Sequence, residues 1–222
     1  FVHTASHDLL APLGNIEVSV AVMNKINVDN PELSKFLKII NSSVKKFRTL
    51  VQDIAAIGKI ENDLKSVELL DLADIINNIE WSLEDKIHAS GAVINRHLEV
   101  DHIRFSKKNL RSILFNLVSN ALKFKGDNPP VIDIYTKQEG DQVILSVKDN
   151  GKGIPKDEVK NIFNMYTRLQ LDVEGQGIGL YLAKKIVDAT GGNIIVESAV
   201  GVGTKFNIYL KAEKEQEVVE VL

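Results

Sequence analysis

Val143-Ile144-Leu145-Ser146-Val147-Lys148-Asp149-Asn150-Gly151-Lys152-Gly153-Ile154-Pro155 is the stretch from which the fold can be read. Val143–Val147 reads as a strand, and Val131–Lys137 reads as its partner. Glu139-Gly140-Asp141 turns one into the other. The second strand runs into a carboxylate, Asp149, and then into two glycines separated by one residue. Glycines placed there let the backbone approach a ligand closely. A plain Asn-Gly turn has the same letters.

Upstream, Ser106 stands as N-cap of a helix whose apolar face is Leu110, Leu114, Leu117, Val118, Ala121 and Leu122. Asn116 and Asn120 are four apart and share a face, with Lys123 following them. Amide oxygens are neutral hard ligands for Mg²⁺, and a lysine can meet phosphate charge. A merely solvated helix face uses the same residue types. Before this helix the sequence predicts a short strand over 67–70, then a helix capped by Asp71 with Ile75, Ile76, Ile79, Leu83 and Ile87 on one face. Strands follow over Val93–Leu98 and Ile103–Phe105. Trp81 is expected to pack at a domain surface.

Downstream, Ile162-Phe163-Asn164-Met165-Tyr166 carries two aromatics, Phe163 and Tyr166, and residues 164–174 are polar and aperiodic. They read as a mobile lid or as a solvated loop. Gly175-Gln176-Gly177-Ile178-Gly179-Leu180 opens a helix that continues through Leu182, Ala183, Ile186, Val187 and Ala189. Glycines at a helix N-terminus can bind phosphate through free amides and the helix dipole. The spacing is neither a P-loop nor a dinucleotide fingerprint. Gly191–Ser198 and Gly201–Phe206 read as two strands joined by a tight turn. Strands and helices mix without a regular βαβ repeat, which predicts a two-layer α/β sandwich with a mixed sheet covered by helices.

The first 62 residues carry a different pattern. Leu9, Leu13, Ile16, Val20 and Met23 alternate gaps of four and three, as do Leu33, Leu37, Ile40, Val44, Phe47, Val51 and Ile54. That is the seam of supercoiled helices. Asn27–Pro31 separates them, with Asn30 as N-cap and Pro31 at the first helical position. A lone hairpin buries little, so a homodimeric four-helix bundle is expected; from the period alone a coiled-coil spacer without chemistry is the favoured alternative. His7 lies just off the seam, facing solvent, beside Asp8. A neutral imidazole is nucleophilic near pH 7, and a carboxylate can take the proton of its other nitrogen. Pro12 removes the amide that the Asp8 carbonyl would bond, so a kink is expected there.

Composition narrows the classes. The chain is 44% hydrophobic and 26% charged, with a formal net charge of -3. That balance gives no broad electrostatic case for nucleic acid or an anionic membrane. It has no cysteine, which excludes disulfides and thiolate metal sites. No apolar run approaches the roughly 20 residues that span a bilayer. The chain starts inside a helical pattern without a methionine, so a fragment is expected, cytoplasmic in itself, with sensory or membrane segments upstream.

Ser6-His7-Asp8-Leu9-Leu10-Ala11-Pro12-Leu13 resembles the H-box of sensor histidine kinases, written S-H-E-L-R-T-P-L. Asn116–Phe124 resembles the N-box of that family, Asp149–Gly153 its D-x-G-x-G box, Ile162–Leu169 its F-box and Gly175–Leu180 its second glycine box. The resemblance spans residues 1 to about 210, in the family's order. It implies a dimerisation and phosphotransfer hairpin over 1–62, a linker over 63–68, an ATP-binding catalytic domain of the GHKL type over 69–212 and a flexible tail over 213–222. It makes His7 the phosphoacceptor and Asp8 its orienting acid. Asn116 and Asn120 become Mg²⁺ ligands, Lys123 a phosphate contact and Asp149 the reader of adenine. Gly151, Gly153, Ile154, Tyr166, Arg168, Gly175, Gln176, Gly177, Ile178, Gly179, Leu180 and Thr204 line the ATP site, with Arg168 at the γ-phosphate and Thr204 reaching toward the phosphates. The partner implied is a response-regulator receiver domain, whose aspartate takes the phosphoryl group.

Two departures matter. Leu10 replaces the family's arginine, and Ala11 replaces the threonine or asparagine tied to phosphatase activity, so weak phosphatase activity is expected. The chaperone and mismatch-repair ATPases of the wider fold place a glutamate where this chain has Asn116. An amide is a poor base, which argues against hydrolysis as the main reaction. A dimerising scaffold with a degenerate pocket is the other alternative.

Overall fold

The computed structural model describes residues 2–26, 31–64, 66–167 and 177–211. The chain divides into two units, Phe1–Ile60 and Glu61–Leu222.

The first unit is helical, with α1 over Val2–Ile26 and α2 over Pro31–Asp63. Pro12 lies inside α1 without ending it, and Pro31 opens α2. The expected turn and cap over 27–30 lie outside the described residues. The heptad seam separates into two stripes. Leu13, Val20, Leu37, Val44 and Val51 are buried, and Leu13, Val44 and Val51 form one cluster with Leu10 against it. Ile16, Met23, Leu33, Ile40 and Phe47, which carry the other half of the seam, are all more than 40% exposed. Between the helices the Arg48 guanidinium donates twice to Glu17, Nε to Oε1 at 2.9 Å and Nη2 to Oε2 at 2.6 Å. Such a bidentate pair fixes how the helices meet more than it stabilises them.

The second unit runs β1 (Glu68–Asp71), α3 (Leu72–Ser82), α4 (Glu84–Ser90), β2 (Val93–Leu98), β3 (His102–Phe105) and α5 (Lys107–Lys123). It continues with β4 (Val131–Glu139), β5 (Gln142–Asp149), α6 (Gly179–Ala189), β6 (Asn193–Ala199) and β7 (Gly203–Lys211). A five-stranded mixed sheet has the order β2-β4-β5-β7-β6, with β2 and β4 parallel and the other pairs antiparallel. β1 and β3 form a separate antiparallel ribbon. One face of the sheet buries Ile132, Ile134, Leu145, Val147, Phe206 and Ile208. Ile75, Ile79, Leu110, Ile113, Leu114, Leu117, Ile186 and Val187 on the helices are buried too, with α5 touching both α3 and α6. The result is an α/β sandwich in two layers.

Three local expectations need correcting. The single helix expected after Asp71 is two, broken at Leu83, whose φ of -114° and ψ of 10° leave the helical region. Ser82 turns its hydroxyl back to the Asn78 carbonyl, and Glu84 and Asp85 favour a fresh helix start. Ser106 occupies the N-cap of α5 but makes no side-chain capping bond, whereas Asp71 caps α3 through the amides of Ala73 and Asp74. Trp81 is 77% exposed, so within its unit it is not a packing residue.

Candidate functional site

Helix α5 forms one wall of the site. Its apolar face is held against the sheet, which leaves Asn116, Asn120 and Lys123 half-buried. The Asn116 amide nitrogen donates back to the Ser112 carbonyl at 2.9 Å, so the nitrogen is occupied within the helix. The oxygen, Oδ1, faces the start of α6: a β-carbon on Gly179 would stand 2.5 Å from it. Only a residue without a side chain lets that amide oxygen sit at the helix N-terminus.

The end of α5 continues into the glycine loop. The Phe124 carbonyl accepts from the Lys152 amide at 2.9 Å, and a β-carbon on Gly151 would meet that same carbonyl oxygen at 2.5 Å. Gly153 has φ of +71°, and its back is against the Ala199 carbonyl, which a β-carbon would meet at 2.0 Å. Both glycines are therefore required by close backbone approach, one on each side of the loop.

Asp149 anchors the loop from below. Its Oδ1 accepts from the amides of Gly151 at 2.8 Å and Thr204 at 3.1 Å. Burial pushes the carboxyl group above its ordinary range, and the two amide bonds pull against that shift. A carboxylate held this way keeps acceptor capacity on its second oxygen and suits a ligand that brings an N–H. The Ile154 amide donates to the Ser198 hydroxyl at 2.8 Å, and Ser198 also bonds the Gly203 carbonyl and the Thr204 hydroxyl, each at 2.9 Å.

On the far side Tyr166 donates its amide to the Gly177 carbonyl at 3.0 Å. Tyr166 has φ of 65°, the one non-glycine residue with positive φ among those described. Gly177, with φ of +72°, packs against the Tyr166–Thr167 backbone. The two ends of the stretch between them are thus pinned together. Helix α6 starts at Gly179, four residues later than the glycine box suggests, with buried Ile178 at its N-cap. The first amides of a helix have no carbonyl partner inside it and favour anionic groups.

The described residues form one chain of contacts: Gly179 to Asn116, α5 to Phe124, Phe124 to Gly151, and Asp149 to Thr204. Gly153 and Ile154 reach the same cluster through β6, and Tyr166 reaches Gly177. The Thr204 amide is bonded to Asp149, which places Thr204 beside the carboxylate, whereas the resemblance implied a reach toward the phosphates. Arg168, Gly175 and Gln176 lie outside the described residues. His7 and Asp8 are in α1, with side chains outside those described. Ser198 and the Phe124 carbonyl also join this cluster; Phe124 closes the N-box and Ser198 ends a predicted strand, but the sequence gives neither a role in the site. Ser198 had a signal: in β6 it continues the alternate positions of Ile194 and Val196, where a hydroxyl needs partners.

Among the described residues no group of three or more His, Cys, Asp and Glu could hold a metal. Asn116 Oδ1, a neutral oxygen turned away from its own helix, fits Mg²⁺, which keeps waters and substrate oxygens around it.

Residues 106–214 match the family described as "Histidine kinase-, DNA gyrase B-, and HSP90-like ATPase". The chain is 27% identical to the sensor histidine kinase WalK of Bacillus subtilis over 98% of its length and 37% of that protein's. It is 30% identical to the aerobic respiration control sensor protein ArcB of Escherichia coli over 99% of its length and 29% of ArcB. It is 27% identical to the methanogenesis regulatory histidine kinase FilI of Methanothrix harundinacea, covering 92% of this chain and 23% of FilI. The chain therefore spans well under half the length of these relatives. Full-length ShkA in complex with AMPPNP shares the fold with a TM-score of 0.77 at 22% identity, over 96% of this chain and 46% of that one. The Acinetobacter baumannii histidine kinase AdeS does so with a TM-score of 0.65 at 19% identity, over 94% and 98%. No helix among the described residues is long and apolar enough to cross a membrane.

Proposed function

We propose, on the premise that this chain belongs to the sensor histidine kinases through its ATPase segment at residues 106–214, that it is an ATP-dependent autokinase core. ATP binds in the second unit, and His7 of the first unit accepts its γ-phosphoryl group. The observation that carries this reading is the set of contacts joining Asn116, Gly179, Gly151, Asp149 and Thr204. It offers an amide oxygen and a helix N-terminus at one end and a half-buried carboxylate at the other, as a nucleoside triphosphate requires.

In this reading Asp149 accepts the exocyclic amine of adenine, and the glycine loop lets the base lie against backbone. The first turn of α6 holds phosphate oxygens. Asn116 and Asn120 would hold Mg²⁺, which supplies neutralisation of the charge on those oxygens. Lys123 and Arg168 add positive charge, because phosphoryl transfer is governed by positioning and electrostatics. One imidazole nitrogen of His7 forms the bond to the γ-phosphorus, the bond from that phosphorus to the β–γ bridging oxygen breaks, and ADP leaves with the electron pair. The proton of the other nitrogen goes to Asp8. The phosphoramidate then passes its phosphoryl group to an aspartate carboxylate of a response-regulator receiver domain. Asn116, where related ATPases carry a glutamate, cannot activate water as a base. Ala11 has no polar group to orient water, so phosphatase activity is weak.

The exposed stripe of Ile16, Met23, Leu33, Ile40 and Phe47 supports dimerisation through the helices into a four-helix bundle. The test is incubation with Mg²⁺ and ATP labelled at the γ or at the α position. Label carried on the chain from γ-labelled ATP alone supports the reading. Free phosphate released with no label on the chain identifies a hydrolase instead.

A further inference from the structure

Strand β5 ends at Asp149, and the next residue extends the sheet with its side chain in place of its main chain. The β4–β5 ladder pairs Ile132 with Asp149, so the following pair in register is Val131 with Asn150. That pair is made through the Asn150 carboxamide. Its Oδ1 accepts the Val131 amide at 2.8 Å, and its Nδ2 donates to the Pro129 carbonyl at 3.1 Å. Pro129 and Pro130 have no amide to give a ladder, and the Pro130 carbonyl is taken by the Val93 amide at 2.9 Å. The Asn150 side chain therefore supplies the one donor and one acceptor that a strand residue would have presented there. Its main chain is released to turn out of the sheet. The turn has little room: a β-carbon on Gly203 would stand 2.0 Å from the Asp149 carbonyl oxygen and 3.0 Å from the Asn150 Cα. The next residue, Gly151, donates its amide to Asp149 Oδ1, and its own α-carbon faces the Phe124 carbonyl. The loop after α5 is thus held to the glycine loop at both ends, by Phe124 with Lys152 and by Pro129 and Val131 with Asn150.

We propose that Asn150 is a positioning residue for nucleotide binding: its carboxamide fixes the point where the chain leaves β5, and so sets the direction of the Asp149 carboxylate and the seat of the glycine loop. Asn150 touches no ligand in this scheme. It acts through its neighbours on either side, Asp149 and Gly151. The inference rests on the nucleotide reading above.

The test uses the full chain and measures the ATP dissociation constant, the unfolding temperature and autophosphorylation in wild type, Asn150→Ala, Asn150→Asp and Thr136→Val. Thr136 is the control. Its hydroxyl makes the matching bonds toward the other end of β4, donating to the Val100 carbonyl at 2.6 Å and accepting the Val100 amide at 3.2 Å. Thr136→Val is expected to lower the unfolding temperature and leave the ATP dissociation constant unchanged. Asn150→Ala loses both bonds, and the dissociation constant rises about tenfold. KM rises with it while kcat at saturating ATP is kept, because Asn116 and Gly179 at the phosphate end are untouched. Asn150→Asp keeps an acceptor for Val131 but cannot donate to Pro129, so it recovers part of the affinity and stands about threefold above wild type. A folded Asn150→Ala chain with wild-type affinity overturns the proposal. So does a Thr136→Val chain that loses as much affinity as Asn150→Ala, since lowered stability then explains both. Should Asn150→Ala fail to fold, Asn150→Asp decides by the same measure, and wild-type affinity there overturns the proposal. A wild-type chain that binds no ATP overturns the nucleotide reading, and this proposal with it.

Discussion

Asn116 on α5 and Gly179 at the start of α6 are in direct contact, and the contact leaves no room for a side chain on the glycine: a β-carbon there would lie 2.5 Å from Asn116 Oδ1 and 3.1 Å from its Cγ. The atom in the way is the end of a side chain, so it can move. Moving it turns the amide away from the Ser112 carbonyl and from the position where it serves as an oxygen ligand. Gly179 also has ordinary helical backbone, where alanine is intrinsically the better residue by roughly 0.5–1 kcal/mol. Gly179→Ala is therefore expected to leave thermal stability unchanged or raised, while autophosphorylation falls at least about tenfold, the cost of misplacing one liganding group. Thermal unfolding and a labelling assay on the same sample check both halves.

Gly153→Ala should behave oppositely. It combines φ of +71° with a clash against backbone, the Ala199 carbonyl at 2.0 Å, which cannot swing aside. Gly140 has a similar φ of +60° but nothing within 4 Å. Gly140→Ala is expected to cost about 1–2 kcal/mol for the left-handed conformation alone. Gly153→Ala should cost clearly more and abolish nucleotide binding. Urea unfolding of the pair isolates the contact from the conformation.

Asp149 links pH to binding and to stability with opposite signs. Its folded-state pKa is raised, mainly by burial. Nucleotide binding requires the ionised acceptor, so ATP affinity should begin to fall, as the solution is acidified, at a higher pH than an ordinary aspartate would give. For the empty domain the group favours folding most below the ordinary aspartate value near ~3.9, and that contribution is lost as pH rises through the folded-state pKa. Asp149→Asn should therefore stabilise the empty domain at neutral pH yet weaken ATP binding by at least about tenfold. Calorimetric titration and thermal melts across pH 4–8 check both signs.

The two stripes of the helical unit predict two different failures. Val44→Ala removes atoms from the buried cluster and should destabilise the unit by on the order of 2 kcal/mol. Phe47 is 46% exposed, so Phe47→Glu should leave helicity intact and, in the proposed four-helix bundle, separate the two chains into monomers. Light scattering after size-exclusion chromatography, with circular dichroism on the same fractions, separates these outcomes.

Glycines were the most legible residues, because each marks a place where a side chain cannot go: Gly151, Gly153, Gly177 and Gly179 all abut backbone or Asn116. Period also read well, since Ile132, Ile134, Leu145 and Val147 fall on the buried face of the strands. The period could not say which half of the helical seam closes within the chain. Leu13, Val44 and Val51 look no different in sequence from Ile16, Ile40 and Phe47. The parallel pairing of β2 with β4 and the break at Leu83 depend on tertiary context. The alternation of β6 marks Ser198 as facing inward, but its bonds exist only because β6, β7 and the glycine loop meet there.

Phosphorylation at His7 is tested most directly by labelling with γ-labelled ATP and Mg²⁺ in wild type and in His7→Gln, followed by acid and base treatment of the product. Acid-labile, base-stable label is expected on the wild-type chain and none on His7→Gln, with ATP affinity equal in both. Equal labelling of the two chains would contradict it.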